Sequence, residues 1–324
     1  MTKDKVLAIL ARKNDYVSGE EISNMIGLSR AAVNAAVKAL RSDGYEIDSV
    51  TNKGYLLKGG PDILSAGAVG AYLETERMEH VLVLDKTDST NKRLREMAFE
   101  EAPGGQVIVA NEQTTGRGRM GRSFFSPSGN GIYFSYLLRP DVAPQDAVTL
   151  TAWTGVAMVR AIERVAGFSP GIKWVNDLVS NGRKLCGILT EMSIESETGR
   201  INSIIIGIGI NVNNDASDFP DEIKDIATSI KLETGSSVSR AELVASMVEE
   251  MDKLASEWPE ASDKYLDLYR SYNITCGRDV DVISGGTIRP AKALSINDDF
   301  SLKVKFPDGT VSDLSSGEVS LKLI

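Results

Sequence analysis

The chain has 324 residues, 42% hydrophobic and 25% charged, with a formal net charge of −9. That composition fits an ordinary globular protein, and the length allows two or three domains at roughly 150 residues each. The single histidine, His80, argues against Ser-His-Asp chemistry, and no run approaches the ~20 apolar residues of a membrane helix.

The start, MTKDKVLAIL, has neither a long apolar core nor a cleavage site, so no signal peptide is expected. Cys186 and Cys276 lie far apart and match no metal spacing, which points to free thiols in a reducing cytoplasm. Charge is uneven. Residues 1–60 hold nine Lys/Arg and seven Asp/Glu, whereas the rest hold 27 and 38. A mildly basic head on an acidic body suggests different partners for the two parts.

The head opens with an amphipathic helix carrying Val6, Leu7, Ile9 and Leu10. Ser18-Gly19-Glu20-Glu21 has capping-box spacing and predicts a short helix from Glu21 to Ile26, stopped by Gly27. Ser29 can cap a second helix, Arg30 to Leu40, whose Val33, Val37 and Leu40 form one apolar stripe. Strands are expected at Tyr45–Ile47 and Gly54–Leu57 around the turn Thr51-Asn52-Lys53-Gly54. This order is that of a winged helix-turn-helix, with Gly59-Gly60-Pro61 as linker. If the head binds DNA, the helix after Ser29 enters the major groove. Arg30, Asn34 and Lys38 lie off the stripe and would face DNA, with Lys53 in the wing.

The body alternates apolar strand runs with long helices. Strands are expected at Val81–Leu84, Gln106–Ala110, Ile132–Leu138, Ile172–Trp174, Leu185–Thr190 and Ile204–Ile210. Helices are expected at Thr90–Glu100, Ala143–Val165 and Ser239–Trp258. The pattern predicts an α+β domain with helices on one face of a mixed sheet. From Gly277 onward, short alternating strands and Gly/Asp turns predict a small β-barrel.

Four segments carry chemistry. The first is Gly116-Arg117-Gly118-Arg119-Met120-Gly121-Arg122, preceded by Gln113. Arginine grips phosphate or carboxylate through paired hydrogen bonds, and glycine lets the backbone approach a ligand. The second, Asp88-Ser89-Thr90-Asn91, could be a simple helix cap. The third runs Lys173-Trp174-Val175-Asn176-Asp177, then Arg183-Lys184-Leu185-Cys186-Gly187, with two lysines flanking a turn between buried strands. Either lysine could be an ordinary edge charge or could aim at the anion of the arginine loop. The fourth, Gly207-Ile208-Gly209-Ile210-Asn211, puts glycines in an apolar strand, a mark of close approach. It lacks the third glycine and following helix of a dinucleotide fold.

Together these segments resemble the bifunctional biotin–protein ligases, enzymes that are also biotin-operon repressors, over essentially the whole chain. The related lipoate ligases share the core fold but not the Arg/Gly loop. The resemblance implies a winged helix-turn-helix at 1–60, a mixed-sheet catalytic domain of the biotin/lipoate ligase type at 62–272 and a small SH3-like β-barrel at 273–324. It implies that Ser89, Thr90, Asn91, Gln113, Arg117, Gly118, Arg119 and Lys184 surround biotin. Arg119, Arg122, Lys173, Asp177, Lys184 and Asn211 would contact ATP or the adenylate. Two residues depart from the family pattern: Val175 stands where proline is usual, and Phe124 where tryptophan is common.

The implied reaction has two halves. Biotin's carboxylate attacks the α-phosphate of ATP to give biotinyl-5′-AMP, and a lysine of the biotin carboxyl carrier protein of acetyl-CoA carboxylase then takes the biotinyl group. Lys184, Arg119 and Lys173 are the expected catalytic cations, with Asp177 orienting Mg²⁺ or the ribose. The adenylate would also promote a homodimer that binds a palindromic operator. Two alternatives stay open: a ligase whose head no longer regulates DNA, and a ligand-sensing transcription factor with an inactive core.

Overall fold

The computed structural model describes residues 2–13, 15–195, 197–284, 287–315 and 317–321. Helices α1 (Thr2–Arg12), α2 (Gly19–Ile26) and α3 (Arg30–Ser42) precede a hairpin of β1 (Glu46–Val50) and β2 (Gly54–Gly59). The expected stripe is the inner face: Val33, Val37 and Leu40 are buried with Val6, Leu7, Leu10 and Ile22. Each fully buried Leu or Val contributes roughly 1.5–3 kcal/mol. Ser18 accepts a hydrogen bond from Glu21 N and Ser29 from Ala32 N, so both caps form as read. Val17 bridges Tyr55, which fastens the hairpin to the start of α2. Gly54 makes that contact possible. Its φ is +111°, and a side chain there would strike the backbone of Val17 and Ser18.

Two short helices, α4 (Ala66–Val69) and α5 (Thr75–Met78), lead into the body. α4 packs against α1, and Asp4 Oδ1 accepts a hydrogen bond from Gly67 N. The linker is held more firmly at Asp62. Its carboxylate accepts from the buried Arg240 backbone N–H and Nε at 3.0 and 2.7 Å, and from Asn213 Nδ2 at 2.9 Å.

The body follows as β3 (Val81–Thr87), α6 (Thr90–Phe99), β4 (Val107–Gln113), β5 (Gly131–Leu138), α7 (Leu150–Ala166), β6 (Gly171–Lys173), β7 (Asp177–Ser180), β8 (Arg183–Ile194) and β9 (Ile201–Asn211). Helices α8 (Ile230–Thr234), α9 (Arg240–Glu257) and α10 (Ser262–Tyr272) come after the sheet. The seven strands run β3-β4-β5-β9-β8-β7-β6, with only β3 and β4 parallel. The sheet is mixed, as expected, but its helices are not confined to one face. Ile132, Phe134, Tyr136, Ile204 and Ile206 point into a large core with α7, α9 and α10. Ile108, Leu137 and Ile205 point the other way, under Leu94 and Ala98 of α6.

Three further differences are local. The helix read from Ala143 begins only at Leu150, after a 3-10 turn at Asp146–Thr149. The turn between the two lysines contains β7, too short for its apolar pair Leu178-Val179 to show a period. α10, which buries Tyr265, Leu266 and Tyr269 at helical spacing, was not among the expected helices.

The C-terminal strands are β10 (Asp279–Ser284), β11 (Thr287–Ile296), β12 (Leu302–Lys305), β13 (Val311–Leu314) and β14 (Glu318–Leu321). They form one antiparallel sheet, β13-β12-β11-β10-β14. Among the described residues β13 and β14 do not pair with each other, and this antiparallel sheet is the small β unit expected from Gly277 onward. Residues 322–324 lie outside the described residues.

Candidate active site

The site lies where the α6 face of the sheet is left hollow. Two rows cross β8, β9 and β5 there: Gly187–Gly209–Tyr133 and Leu189–Gly207–Ser135. Three glycines in six positions remove the side chains that would fill the face, while α6 covers only the neighbouring Leu137–Ile205 end. The space is used at close quarters. A Cβ on Gly207 would run into the Asn91 carboxamide, and one on Gly209 would sit 2.5 Å from the Phe124 ring. The resulting cleft holds about 490 Å³ of empty space and is open to solvent.

One wall is the first turn of α6. Ser89 stands at the N-cap position, yet its hydroxyl makes no capping bond. The helix end is satisfied from elsewhere: Gln113 Oε1, at the end of β4, accepts from Thr90 N at 2.8 Å and Thr90 Oγ1 at 3.1 Å. Asp88 accepts from Ser89 N and pairs with Lys92 at 2.6 Å. The hydrogen bond from Lys92, with that from Ser89 N, holds the Asp88 carboxyl well below the usual carboxylate range. Ser89 Oγ is thereby left for the cleft, so simple capping does not explain this triplet. Ser126 Oγ lies 3.2 Å from Gln113 Nε2 and donates to Phe124 O, which ties the wall to the loop.

The Arg/Gly loop forms the opposite wall. Gly118 N donates to Arg122 O, and Phe124 N to Gly116 O, closing a tight excursion whose turn places Met120 at φ 54°. Arg117 and Arg119 line the cleft, and the Arg119 guanidinium donates to Asn176 Oδ1 at 2.9 Å. Lys184 reaches in from β8, with its ammonium 2.6 Å from Asp177 Oδ1. Three cations therefore converge with one carboxylate in an acidic protein. Ser89, Thr90, Asn91, Gln113, Gly118 and Lys184 also line the cleft.

Not every expected residue does. Lys173 lies on β6, whose register pairs it with Asp177, and it is outside the lining. Arg122 sits exposed at the outer end of the loop. Asn211 is buried and donates to Thr228 O at 3.0 Å. Asp177 is engaged by Lys184, and among the described residues no cluster of three His, Cys, Asp or Glu is placed to hold a metal ion. Sequence reading missed Ser135 and Glu191, and it quoted Asn176 within the third segment without giving it a role. Ser135 had a signal, a lone hydroxyl inside the apolar run Ile132–Leu138. Glu191 had none, because its partner is distant in sequence. Cys186 is fully buried beneath the lysine, and burial pushes its thiol pKa up.

The sequence profile of the Biotin/lipoate A/B protein ligase family matches residues 83–211, which span β3 through β9. The Bifunctional ligase/repressor BirA of Bacillus subtilis (strain 168) is 38% identical over 99% of this chain and 98% of its own length. The chain belongs to the biotin/lipoate protein ligase family. The BirA of Escherichia coli (strain K12) is 30% identical over 98% of this chain and 96% of its own. Among solved structures, the biotin protein ligase from Aquifex aeolicus in complex with biotin and ATP superposes with a TM-score of 0.64. It is 29% identical and covers 75% of this chain and 98% of that one. A helix-turn-helix profile matches residues 2–56.

In this ligase-family chain the helix-turn-helix presents α3 as its free surface. Asn34 and Lys38 are exposed opposite the buried stripe. Arg30 is exposed but ion-paired with Glu20 of α2. Lys53 projects from the hairpin turn, its ammonium 5.7 Å from the Tyr16 ring centroid. Ser29 is spent on the cap. No described helix is long and apolar enough to cross a membrane.

Proposed function

We propose that the cleft condenses biotin with ATP to biotinyl-5′-AMP and then yields the biotinyl group to a carrier-protein lysine, while the head represses biotin genes. One observation carries this reading: Arg117, Arg119 and Lys184 converge on a glycine-floored cleft whose far wall is a neutral donor–acceptor array. A cyclic urea suits that array, and a carboxylate beside a phosphate suits the cations.

In the first step a carboxylate oxygen forms a bond to the α-phosphorus, and the bond to pyrophosphate breaks with its electron pair. Two anions must approach, so neutralisation and positioning supply most of the rate. Lys184 is placed for both, once arriving anions compete with Asp177 for its ammonium. Arg119, steadied by Asn176, holds phosphate, and the loop around it excludes water from the anhydride. In the second step an acceptor lysine amine attacks the acyl carbon, forms the C–N bond, loses a proton and expels AMP. No protein nucleophile is required. Arg122, Lys173 and the buried Asn211, outside the cleft lining, are assigned to the nucleotide end. Mg²⁺ would enter on the ATP phosphates, which neutralises them, with Asp177 offering one carboxylate.

The acceptor is assigned as the biotin carboxyl carrier protein of acetyl-CoA carboxylase. The ligase acts in the cytoplasm, and bound adenylate favours a homodimer whose two heads read a two-fold operator. Ser29, Arg30, Asn34, Lys38 and Lys53 form the DNA face. Incubation with biotin, ATP and a purified carrier domain should add one biotinyl mass to the carrier by mass spectrometry. An unmodified carrier, with the ligase natively folded, would refute the assignment.

A further inference from the structure

The deep end of the cleft contains a side chain whose orientation is enforced from outside. Asn91 is 5% exposed. Its Oδ1 accepts from Ser135 Oγ at 2.6 Å, and its Nδ2 donates to Glu191 Oε2 at 2.8 Å. Glu191 Oε1 in turn accepts from Arg95 at 2.5 Å, one turn further along α6. An ionised carboxylate can only accept, so the carboxamide must turn its NH₂ toward Glu191 and its oxygen toward Ser135. Arg95 holds Glu191 in place. Gly207 lies directly beneath, where a Cβ would displace the amide. The amide therefore cannot flip, and it presents one fixed dipole to the cleft, with Oδ1 keeping a second lone pair to accept another hydrogen bond.

We propose that Glu191 is a positioning residue which, through Asn91, fixes the hydrogen-bond polarity of the cleft's blind end and so selects a ligand with a ring N–H there. This rests on the biotin reading above, the ureido ring being the part of that substrate able to donate. A carboxamide at position 191 could accept or donate equally well, and Asn91 would lose its preferred orientation. Glu191 touches no reacting atom, so its effect falls on binding and not on turnover.

The test uses the full-length ligase and calorimetric titration with biotin alone, then with an analogue N-methylated on the ureido ring. Glu191→Gln should weaken biotin binding about tenfold while binding of the N-methyl analogue changes less than twofold, which shrinks the discrimination between them. The KM for biotin should rise with kcat and the KM for ATP within about twofold of wild type. In an Asn91→Ala background Glu191→Gln should add no further loss, because the two act as one unit. Equal weakening of both ligands, or a full additional loss in the Asn91→Ala background, would show a merely structural role and overturn the proposal. Unchanged biotin binding in Glu191→Gln would overturn it as well. If the variant does not fold, Arg95→Gln, which releases Glu191 without touching Asn91, should produce the same loss of discrimination in weaker form; retained discrimination there overturns the proposal. Failure of wild type to bind biotin at all would instead sink the functional reading on which the proposal stands.

Discussion

Lys184 carries the heaviest single demand in the proposed reaction, in which it is assigned to the meeting point of the two substrates' charges. Its ammonium is 2.6 Å from Asp177, and this ion pair holds it in position. Lys184→Ala should cut biotin-dependent pyrophosphate release by about 10²–10³, the scale of losing one preorganised electrostatic partner. The chain should stay natively folded, with a modest drop in melting temperature from losing the partner of the part-buried Asp177. Arg119→Gly should behave differently: adenylate still forms but is found free in the filtrate, because the grip of the loop on phosphate is lost. Retention equal to wild type would remove Arg119 from that role. Gly209→Ala tests the cleft floor. The added methyl would press on Phe124, and biotin affinity should fall at least tenfold by titration while the fold persists.

At the scale of elements, α6 and α3 are the parts most open to test. The mouth of α6 is organised by Asp88, whose carboxyl is held below its ordinary value of 3.8 by Lys92 and Ser89 N. A depressed folded-state pKa adds stability at pH above the unfolded value and loses it as pH falls toward the folded one. Asp88→Asn should therefore lower the melting temperature near pH 7, and the gap should close as the medium is acidified below about pH 4. A gap that widens in acid would contradict the sign. In α3, Leu40 is fully buried, so Leu40→Ala should cost ~2–5 kcal/mol of head stability and abolish DNA binding. Adenylation should survive, since the cleft belongs to a different core. Asn34→Ala and Lys38→Ala should leave stability alone. The former should relax operator specificity, and the latter should lower the salt slope of binding by about one, in gel shifts across salt.

Across the whole molecule, local signals proved readable and remote ones did not. The caps at Ser18 and Ser29, the α3 stripe and the GxG strand follow from spacing within a few residues, and each took the form its residue types demand. The Arg/Gly loop faces Asn91 and Lys184 because β9 carries glycine where it crosses between them. Glu191 was invisible because its partner Asn91 lies a hundred positions away and only the sheet register unites them. Asp177 was expected in the site from the sequence, but its pairing with Lys184 was not. Ser89 was ambiguous because a cap and a ligand donor use the same hydroxyl, and only Gln113 reaching over from β4 separates the two. The head joins the body through Asp62, Arg240 and Asn213, just past the strand that floors the cleft. The central claim is that this cleft makes and holds an adenylate. Incubating the full chain with biotin and Mg-ATP, removing free nucleotide and weighing the bound material by mass spectrometry tests it directly. One biotinyl-5′-AMP per chain, absent in Lys184→Ala, is the predicted result; a natively folded chain that releases no pyrophosphate and carries no adenylate would contradict it.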